Sequence, residues 1–107
     1  MINPTQACTQ LIGCAGWSLR AEHAAHFPAA GSHLERYAAV FPMVEINSSF
    51  YRPHQPKTYA RWAESVPDAF RFAVKVPRSI THDAGLRDVD ALLDRFAGEA
   101  GALGKKL

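Results

Sequence analysis

The sequence predicts an α/β fold in which three strand-then-helix units form a parallel sheet with helices on one side. Short apolar runs alternate with amphipathic stretches, and Gly, Pro or Ser residues separate them. This regular order implies parallel strands joined by right-handed crossovers. The second and third predicted strands are apolar on one face and polar on the other, which is unlike a sheet covered by helices on both faces.

The first unit has a strand from about Leu11 to Ala15, closed by Gly16. After a long loop, Ser32 and Glu35 have the S-x-x-E spacing of a capping box, which predicts the start of a helix. The apolar side chains of this helix recur on one face, at Leu34, Tyr37, Ala38 and Phe41.

The second strand is predicted at Met43–Asn47, and the helix that follows has Pro56 near its first position, where a missing N–H costs nothing. The third strand is predicted at Phe70–Val76. Asp88 is expected to cap the last helix. The predicted buried face of that helix contains Val89, Leu92, Leu93, Phe96, Ala100 and Leu103.

The composition indicates one small globular domain. Of 107 residues, 48% are apolar, which suits a single hydrophobic core. The net charge is only +2, with no block of like charge that would indicate a nucleic-acid arm or a membrane patch. No segment resembles a signal peptide or has the ~18 apolar residues of a membrane span, so we expect a cytoplasmic protein that does not bind membranes. We expect residues 1–9 to be a flexible N-terminal tail.

Cysteine and histidine spacing predicts no metal site. Cys8 and Cys14 match neither a zinc ribbon nor a redox C-x-x-C motif, so we expect two free thiols, with Cys14 buried as a small apolar side chain. His23 and His26 have a spacing that a helical metal pair can use, but no third ligand is near in the sequence. A solvated loop is the expectation there.

A barrel interior explains the polar strand face, because the upper layers of such interiors hold polar groups. Four segments and one aromatic residue carry a family resemblance: residues 12–18, 26–28, 44–52 and 70–82, together with Trp62. In these motifs the chain resembles the N-terminal part of the DUF72 (YecE-like) family of TIM-barrel proteins. It departs from the family at His54, where a small residue or proline is more usual. The resemblance therefore implies a TIM-type (β/α) barrel.

A closed barrel of this kind needs ~250 residues, so this chain supplies only about the first three βα units and the barrel is incomplete. We expect a single partial barrel domain over residues 1–107. Two interpretations stay open. The chain is either a piece of a longer protein, or it associates with itself or with another fragment through its open sheet edges.

Candidate catalytic residues lie at the C-terminal ends of the predicted strands, where barrels collect their chemistry. Glu45 and Lys75 are expected to face the barrel interior at about the same height along the barrel axis. Glu45 is then either an acid or base tuned by the lysine cation, or one half of a structural ion pair with it. His82 is the third candidate, with Asp83 as a carboxylate that can orient its ring. Asn47 either orients a substrate or hydrogen-bonds the loop behind it.

Candidate substrate-binding residues also lie at the C-terminal ends of the strands, which together we call the rim. Trp17 either stacks on a base or sugar or covers the core as a lid. Tyr51 and Arg52 can grip an anionic group, or they are solvated loop residues. The rim also carries Ser48 and Arg78.

These residues predict where a functional site lies but not which reaction it catalyses. The first hypothesis is a barrel enzyme that acts on a phosphorylated or nucleic-acid-like substrate, with Glu45 as base or divalent-metal ligand and with Lys75 and His82 stabilising charge. The alternative is a non-catalytic module that binds nucleic acid or a sugar phosphate through Trp17, Tyr51 and Arg52. A third possibility is a fragment without a function of its own. The family resemblance assigns no activity.

Overall fold

The three predicted strands pair side by side in one parallel sheet. The structure, a computed structural model, describes residues 10–107. Strand β1 spans Gly13–Ala15, β2 spans Met43–Ile46 and β3 spans Arg71–Val74, in the sheet order β1-β2-β3. Both pairs are parallel, so the predicted α/β fold with an open, incomplete sheet is confirmed. The expected N-terminal tail and Cys8 lie outside the described residues.

One α-helix follows each strand. Helix α1 spans His33–Ala38, α2 spans Pro56–Glu64 and α3 spans Asp90–Ala100. Shorter turns connect these elements and extend the chain beyond α3. They are 3₁₀ turns at Ala21–His26, Ser48–Phe50 and Gly101–Lys106, and a π-helical turn at Ser79–Asp83.

The starts of α1 and α2 follow the predicted sequence signals. The Ser32 hydroxyl accepts a hydrogen bond from the Glu35 backbone N–H at 3.1 Å, and the Ser32 N–H donates to Glu35 Oε1 at 3.3 Å. This is the expected capping box, in which two backbone donors without helical partners are satisfied reciprocally. Pro56 lies in the first turn of α2, also as predicted.

The start of α3 differs from the prediction. The helix begins at Asp90 and its N-cap is Val89, whereas Asp88 adopts a left-handed conformation with φ of 50°. An N-cap residue needs extended backbone to direct its side chain at the helix, so Asp88 cannot cap it. The predicted burial of Leu92 and Leu93 is also wrong, since they are 39% and 41% exposed. Leu92 borders a surface cleft beside the loops after β2 and β3 instead of the core.

The hydrophobic core lies between the sheet and the helix layer. Val44 and Ile46 of β2 are 0% and 1% exposed, and Phe72 of β3 is 3% exposed. The remaining core side chains come from the helices and the segments beside them: Leu34, Tyr37, Tyr59, Val66, Phe70, Ala100 and Leu103. Helices thus cover one face of the sheet, as the alternation within the strands predicts.

Tyr37 ties α1 to both of the first two strands. Its hydroxyl accepts a hydrogen bond from the Cys14 N–H at 2.7 Å and donates one to the Met43 carbonyl at 2.8 Å. This buried hydroxyl therefore has a partner both as a donor and as an acceptor. Burial, the largest effect, raises the pKa of the Tyr37 phenol, so it stays a neutral donor at physiological pH.

The opposite face of the sheet is open. Ala73 and Lys75 on this face are exposed, and Glu45 is half-buried. Cys14 is also exposed, although it was expected to be buried. It lies in register with Val44 and so points to the helix side, but β1 is an edge strand and no described element covers the space beside it.

Each helix in the described part of the chain is too short or too polar to cross a membrane.

Gly13 provides a test of the close approach between β1 and β2. A Cβ at this position would overlap the Met43 carbonyl oxygen, so we expect Gly13→Ala to destabilise the chain by about 1–3 kcal/mol through overpacking. The control is Gly98→Ala in α3, where a Cβ meets no atom within 4 Å. That change should stabilise by up to about 1 kcal/mol through helix propensity. Urea unfolding measures both, and equal effects would contradict the predicted clash.

Lys106 provides a test of the contact between the C-terminal turn and α2. Its ammonium donates hydrogen bonds to the carbonyls of Ala63 and Val66, the latter at 2.8 Å, where α2 ends. Lys106→Met should cost about 1–3 kcal/mol of unfolding free energy, because two carbonyls lose a charged donor. Lys105→Met, at an exposed neighbour, should change it by less than about 0.5 kcal/mol. The prediction fails if urea unfolding gives both variants the same midpoint.

Candidate functional site

A buried serine joins the C-terminal ends of β2 and β3. The Ser49 hydroxyl lies 2.6 Å from the Lys75 carbonyl and 3.1 Å from the Ile46 carbonyl, and the residue is 1% exposed. The Lys75 N–H also donates to the Ile46 carbonyl at 3.0 Å. These bonds fix the loop after β2 against the end of β3. Sequence reasoning missed Ser49, and the signal for it is a serine in the loop that follows a buried strand.

Four side chains form a connected group at this rim, which we call the inner cluster: Asn47, Phe50, Lys75 and His82. The Lys75 ammonium donates to Asn47 Oδ1 at 3.2 Å and lies 4.4 Å from the centroid of the Phe50 ring. The His82 ring meets the same phenyl ring edge to face, with centroids 5.1 Å apart. A cation over an aromatic face is attracted by the ring quadrupole, so Phe50 and Asn47 together hold the ammonium at the rim.

The expected pair of Glu45 and Lys75 is not formed. Glu45 lies level with Ala73 in the register of β2 and β3, so Lys75 is two residues further along its strand. Two residues correspond to about 6.6 Å of strand. Asn47 occupies the level of the ammonium instead, and no ion pair within residues 10–107 involves Glu45. Its carboxylate is half-buried on the open face, below the inner cluster.

His82 is held by a threonine rather than by the carboxylate beside it. Its Nδ1 lies 2.7 Å from the Thr81 hydroxyl. Asp83 instead accepts a hydrogen bond from Arg78, with Nη2 and Oδ1 3.4 Å apart. The π-helical turn brings residues five apart onto one side, so the expected pairing of His82 with Asp83 is replaced by one between Arg78 and Asp83.

A cleft of about 330 Å³, which we call the outer cleft, opens beside the inner cluster. Its walls come from the loop after β2, the loop after β3 and one face of α3. It contains Tyr51, Arg52 and Arg78 of the predicted site. It also contains Arg95 and Glu99 of α3, which sequence reasoning missed because a charged pair at i, i+4 is typical of any solvated helix face.

Trp17 and Ser48 lie apart from the inner cluster. The Trp17 ring packs edge-on against Trp62, with centroids 5.0 Å apart, and lines a small cleft between α1 and α2. It therefore contributes to the helix layer. The Ser48 hydroxyl lies 2.7 Å from His54 Nε2, and the His54 ring packs against Tyr59 and Trp62 at the start of α2.

Two pKa shifts occur next to the rim. Burial lowers the pKa of His54, and the positive charge of Arg52 lowers it further, while the Glu99 carboxylate acts in the opposite direction. Burial raises the pKa of the Tyr59 phenol, as does Glu99, and a hydrogen bond to Ser49 partly offsets this. His54 is consequently neutral near pH 7.

The segment with His23 and His26, whose spacing a helical metal pair can use, holds no cluster of metal ligands. His23 and His26 lie in an exposed 3₁₀ turn, and His23 Nε2 is 3.7 Å from Glu22 Oε1. Within residues 10–107, no group of three His, Cys, Asp or Glu side chains is arranged to hold a metal ion. Both histidines border a cavity of about 700 Å³ beside β1, which also exposes Cys14. This cavity lies at the open edge of the sheet.

The matches to known proteins cover most of the described chain. The model of a family described as "Protein of unknown function DUF72" matches residues 11–107. The chain belongs to the DUF72 family. The resemblance seen in the sequence motifs is thereby confirmed, and the rim described above belongs to a DUF72 protein.

Two curated relatives of this DUF72 chain are similar to it over part of their length. UPF0759 protein YecE of Escherichia coli K12 is 43% identical over 63 residues, which is 59% of this chain and 23% of YecE. UPF0759 protein YunF of Bacillus subtilis 168 is 30% identical over 89 residues, which is 79% of this chain and 30% of YunF. The chain thus spans less than a third of either relative.

A solved structure supports the same family and fold. The crystal structure at 2.52 Å of a DUF72 family protein from Enterococcus faecalis V583 is 28% identical, with a TM-score of 0.59. The match covers 69% of this chain and 32% of that protein. The DUF72 chain therefore has the α/β architecture of a longer family member over about a third of that member's length.

The lowered pKa of His54 predicts a pH dependence of stability. The unfolded chain binds a proton at His54 near pH 6.5, whereas the folded chain binds it only at lower pH, so unfolding is favoured as the pH falls below about 6.5. We expect His54→Gln to lose less melting temperature than the wild type between pH 7.5 and 5.5. Ser48→Ala is the control. It removes the hydrogen bond but keeps the burial and Arg52, so it should follow the wild type. Identical pH profiles for wild type and His54→Gln would refute the assignment.

Proposed function

We propose that the inner cluster and Glu45 form part of the active site of a barrel enzyme that acts on a phosphorylated or nucleic-acid-like substrate. The observation that carries this proposal is the position of the Lys75 ammonium. Asn47 Oδ1 and the Phe50 ring hold it at the end of β3, and its side chain is exposed. An ammonium has three N–H donors, so the bond to Asn47 leaves donors for a phosphate oxygen.

Each residue has a role in this proposal. Lys75 stabilises the negative charge that develops on a phosphoryl oxygen. His82, whose Nδ1 is held by Thr81, presents Nε2 to a substrate as acid or base. Glu45 has no ion-pair partner within the described residues and supplies a carboxylate on the open face as a general base. Strand β2, the end of β3 and the turn after β3 thus combine a carboxylate, a cation and an imidazole.

A divalent metal is not needed by this part of the proposal. The described residues contain no group of three metal ligands, and Glu45 alone would supply one carboxylate. Metal binding at Glu45 would require further ligands from outside residues 10–107. We therefore assign charge stabilisation to Lys75.

The extent of the chain limits what it does alone. Because it spans less than a third of YecE or YunF, we infer that residues 1–107 are a single partial barrel domain and that activity belongs to the complete barrel. Three further points stay predictions from the sequence. They are self-association through the open edges of β1 and β3, the lack of an independent function, and a cytoplasmic location.

One observation favours a second candidate function, a non-catalytic binding module. The Tyr51 side chain is 68% exposed and lies beside Arg52 at the outer cleft. An exposed aromatic ring next to a guanidinium suits stacking on a base together with a phosphate contact. The difference is measurable, because a module binds its ligand without turning it over.

Lys75 is the residue whose change tests the proposed enzyme. Titrating the chain with inorganic pyrophosphate, followed by NMR, should shift the amide signals of Asn47, Lys75 and His82. Lys75→Met should weaken the binding about tenfold through loss of one charged hydrogen bond. Lys57→Met, at an exposed position of α2, is the matched control and should bind like the wild type.

Turnover separates the two candidate functions. In a complete barrel that contains this segment, Glu45→Gln should abolish hydrolysis of bis(p-nitrophenyl) phosphate while pyrophosphate still binds. If pyrophosphate shifts no rim signal, or if the two lysine variants bind equally, the enzyme proposal is wrong. Binding without turnover in the wild-type barrel would favour the module.

A further inference from the structure

The outer cleft brings together three arginines from three different elements. Arg52 lies in the loop after β2, Arg78 in the loop after β3, and Arg95 on α3. Only the first two were candidates from the sequence, because Arg95 belongs to an i, i+4 charged pair that is typical of any solvated helix face. A guanidinium carries five N–H donors in a planar fork that matches phosphate geometry. Three of them around one cleft point to an anionic ligand.

The cleft arginines keep most of their hydrogen-bonding capacity. Arg78 contacts Asp83 at 3.4 Å and Arg95 contacts Glu99 at 3.3 Å, each through one nitrogen. Arg52 makes no ion pair within residues 10–107. Each of the two ion pairs is a single contact and both of their arginine side chains are more than half exposed, so a phosphate can compete for these guanidinium groups. Three guanidiniums and two carboxylates line the cleft, which leaves its lining with a charge of +1.

The walls of the outer cleft fit a flat apolar body beside the anionic group. Phe50, Tyr51 and Phe96 provide aromatic surface, and Pro53 and Pro77 provide rigid apolar surface. The volume of about 330 Å³ is near the lower end of the ~300–1,000 Å³ that small-molecule sites occupy. This size suits one nucleotide-sized molecule and not a nucleic-acid strand, which needs an extended groove.

We propose that the outer cleft binds a small aromatic phosphate of mononucleotide size, with Arg52, Arg78 and Arg95 around the phosphate and the ring between Tyr51 and Phe96. The inference deepens the proposed function and rests on it for the link between binding and chemistry. Phe50 provides the physical connection, because it lines the cleft and also lies against the Lys75 ammonium. The substrate class is then a nucleotide-like small molecule that the outer cleft binds beside the inner cluster.

Binding of adenosine monophosphate (AMP), compared with binding of adenosine, tests this subsite. Titrations followed by NMR should show that AMP shifts the amide signals of Tyr51, Arg52 and Ser79 and binds at least about tenfold more tightly than adenosine. Arg52→Gln and Arg95→Gln should each weaken AMP binding about tenfold. Arg61→Gln, at an exposed position of α2 outside the cleft, should leave it unchanged.

Arg52→Lys provides a second variant that keeps the charge and should recover part of the affinity. Circular dichroism of every variant verifies the same fold, which is expected because Arg52 and Arg95 are exposed. The proposal is overturned if AMP leaves the cleft signals unmoved, or if Arg52→Gln and Arg61→Gln bind AMP equally. A single-stranded decanucleotide that binds at least tenfold more tightly than AMP would overturn the small-ligand class.

The Lys75→Met variant separates this subsite from the proposed chemistry. It should keep AMP binding within about threefold, since the three arginines hold the phosphate in the cleft. AMP binding that survives in a complete barrel without phosphoester turnover would support the subsite and refute the enzyme. Turnover without AMP binding at the cleft would refute the subsite and leave the enzyme proposal standing.

Discussion

The parallel register of β2 with both neighbours determines where the polar residues at the ends of β2 and β3 lie. Val44 and Ile46 of β2 point into the core, so Glu45 between them must point to the open face. A slip of one residue would move the carboxylate into the core and an apolar side chain out of it, at a large cost in desolvation. The register is therefore fixed by hydrophobic burial, and the polar rim depends on it.

Ser49 turns this strand register into a defined rim. Its hydroxyl joins the carbonyls at the ends of β2 and β3, which lets the chain reverse over the core without leaving a buried polar group unpaired. The same turn carries Phe50, which lies under the Lys75 ammonium and forms one wall of the outer cleft. A small buried serine thus positions an aromatic ring that two candidate binding regions share.

The one-sided helix layer explains the exposed apolar surface of the chain. Leu92, Leu93 and Ile12 are exposed, and Cys14 borders a cavity at the edge of β1. A (β/α)₈ barrel buries such surfaces between neighbouring units, and the chain matches less than a third of its longer DUF72 relatives. The sheet of three strands is open because its edge strands, β1 and β3, each have one side without a neighbour. Further strands would have to pair with those sides to close a barrel.

Local periodicity, capping chemistry and motifs were enough to predict the order of elements, the helix starts at Ser32 and Pro56, the core face of β2 and the DUF72 family. The partners of the site residues depended on the tertiary structure. Lys75 contacts Asn47 and Phe50 instead of Glu45, since contact across a parallel pair requires the actual register. Arg95 joins Arg52 and Arg78 only through the packing of α3 against the rim. Local sequence fixes a residue's own conformation, but distances between residues far apart in the chain come from packing.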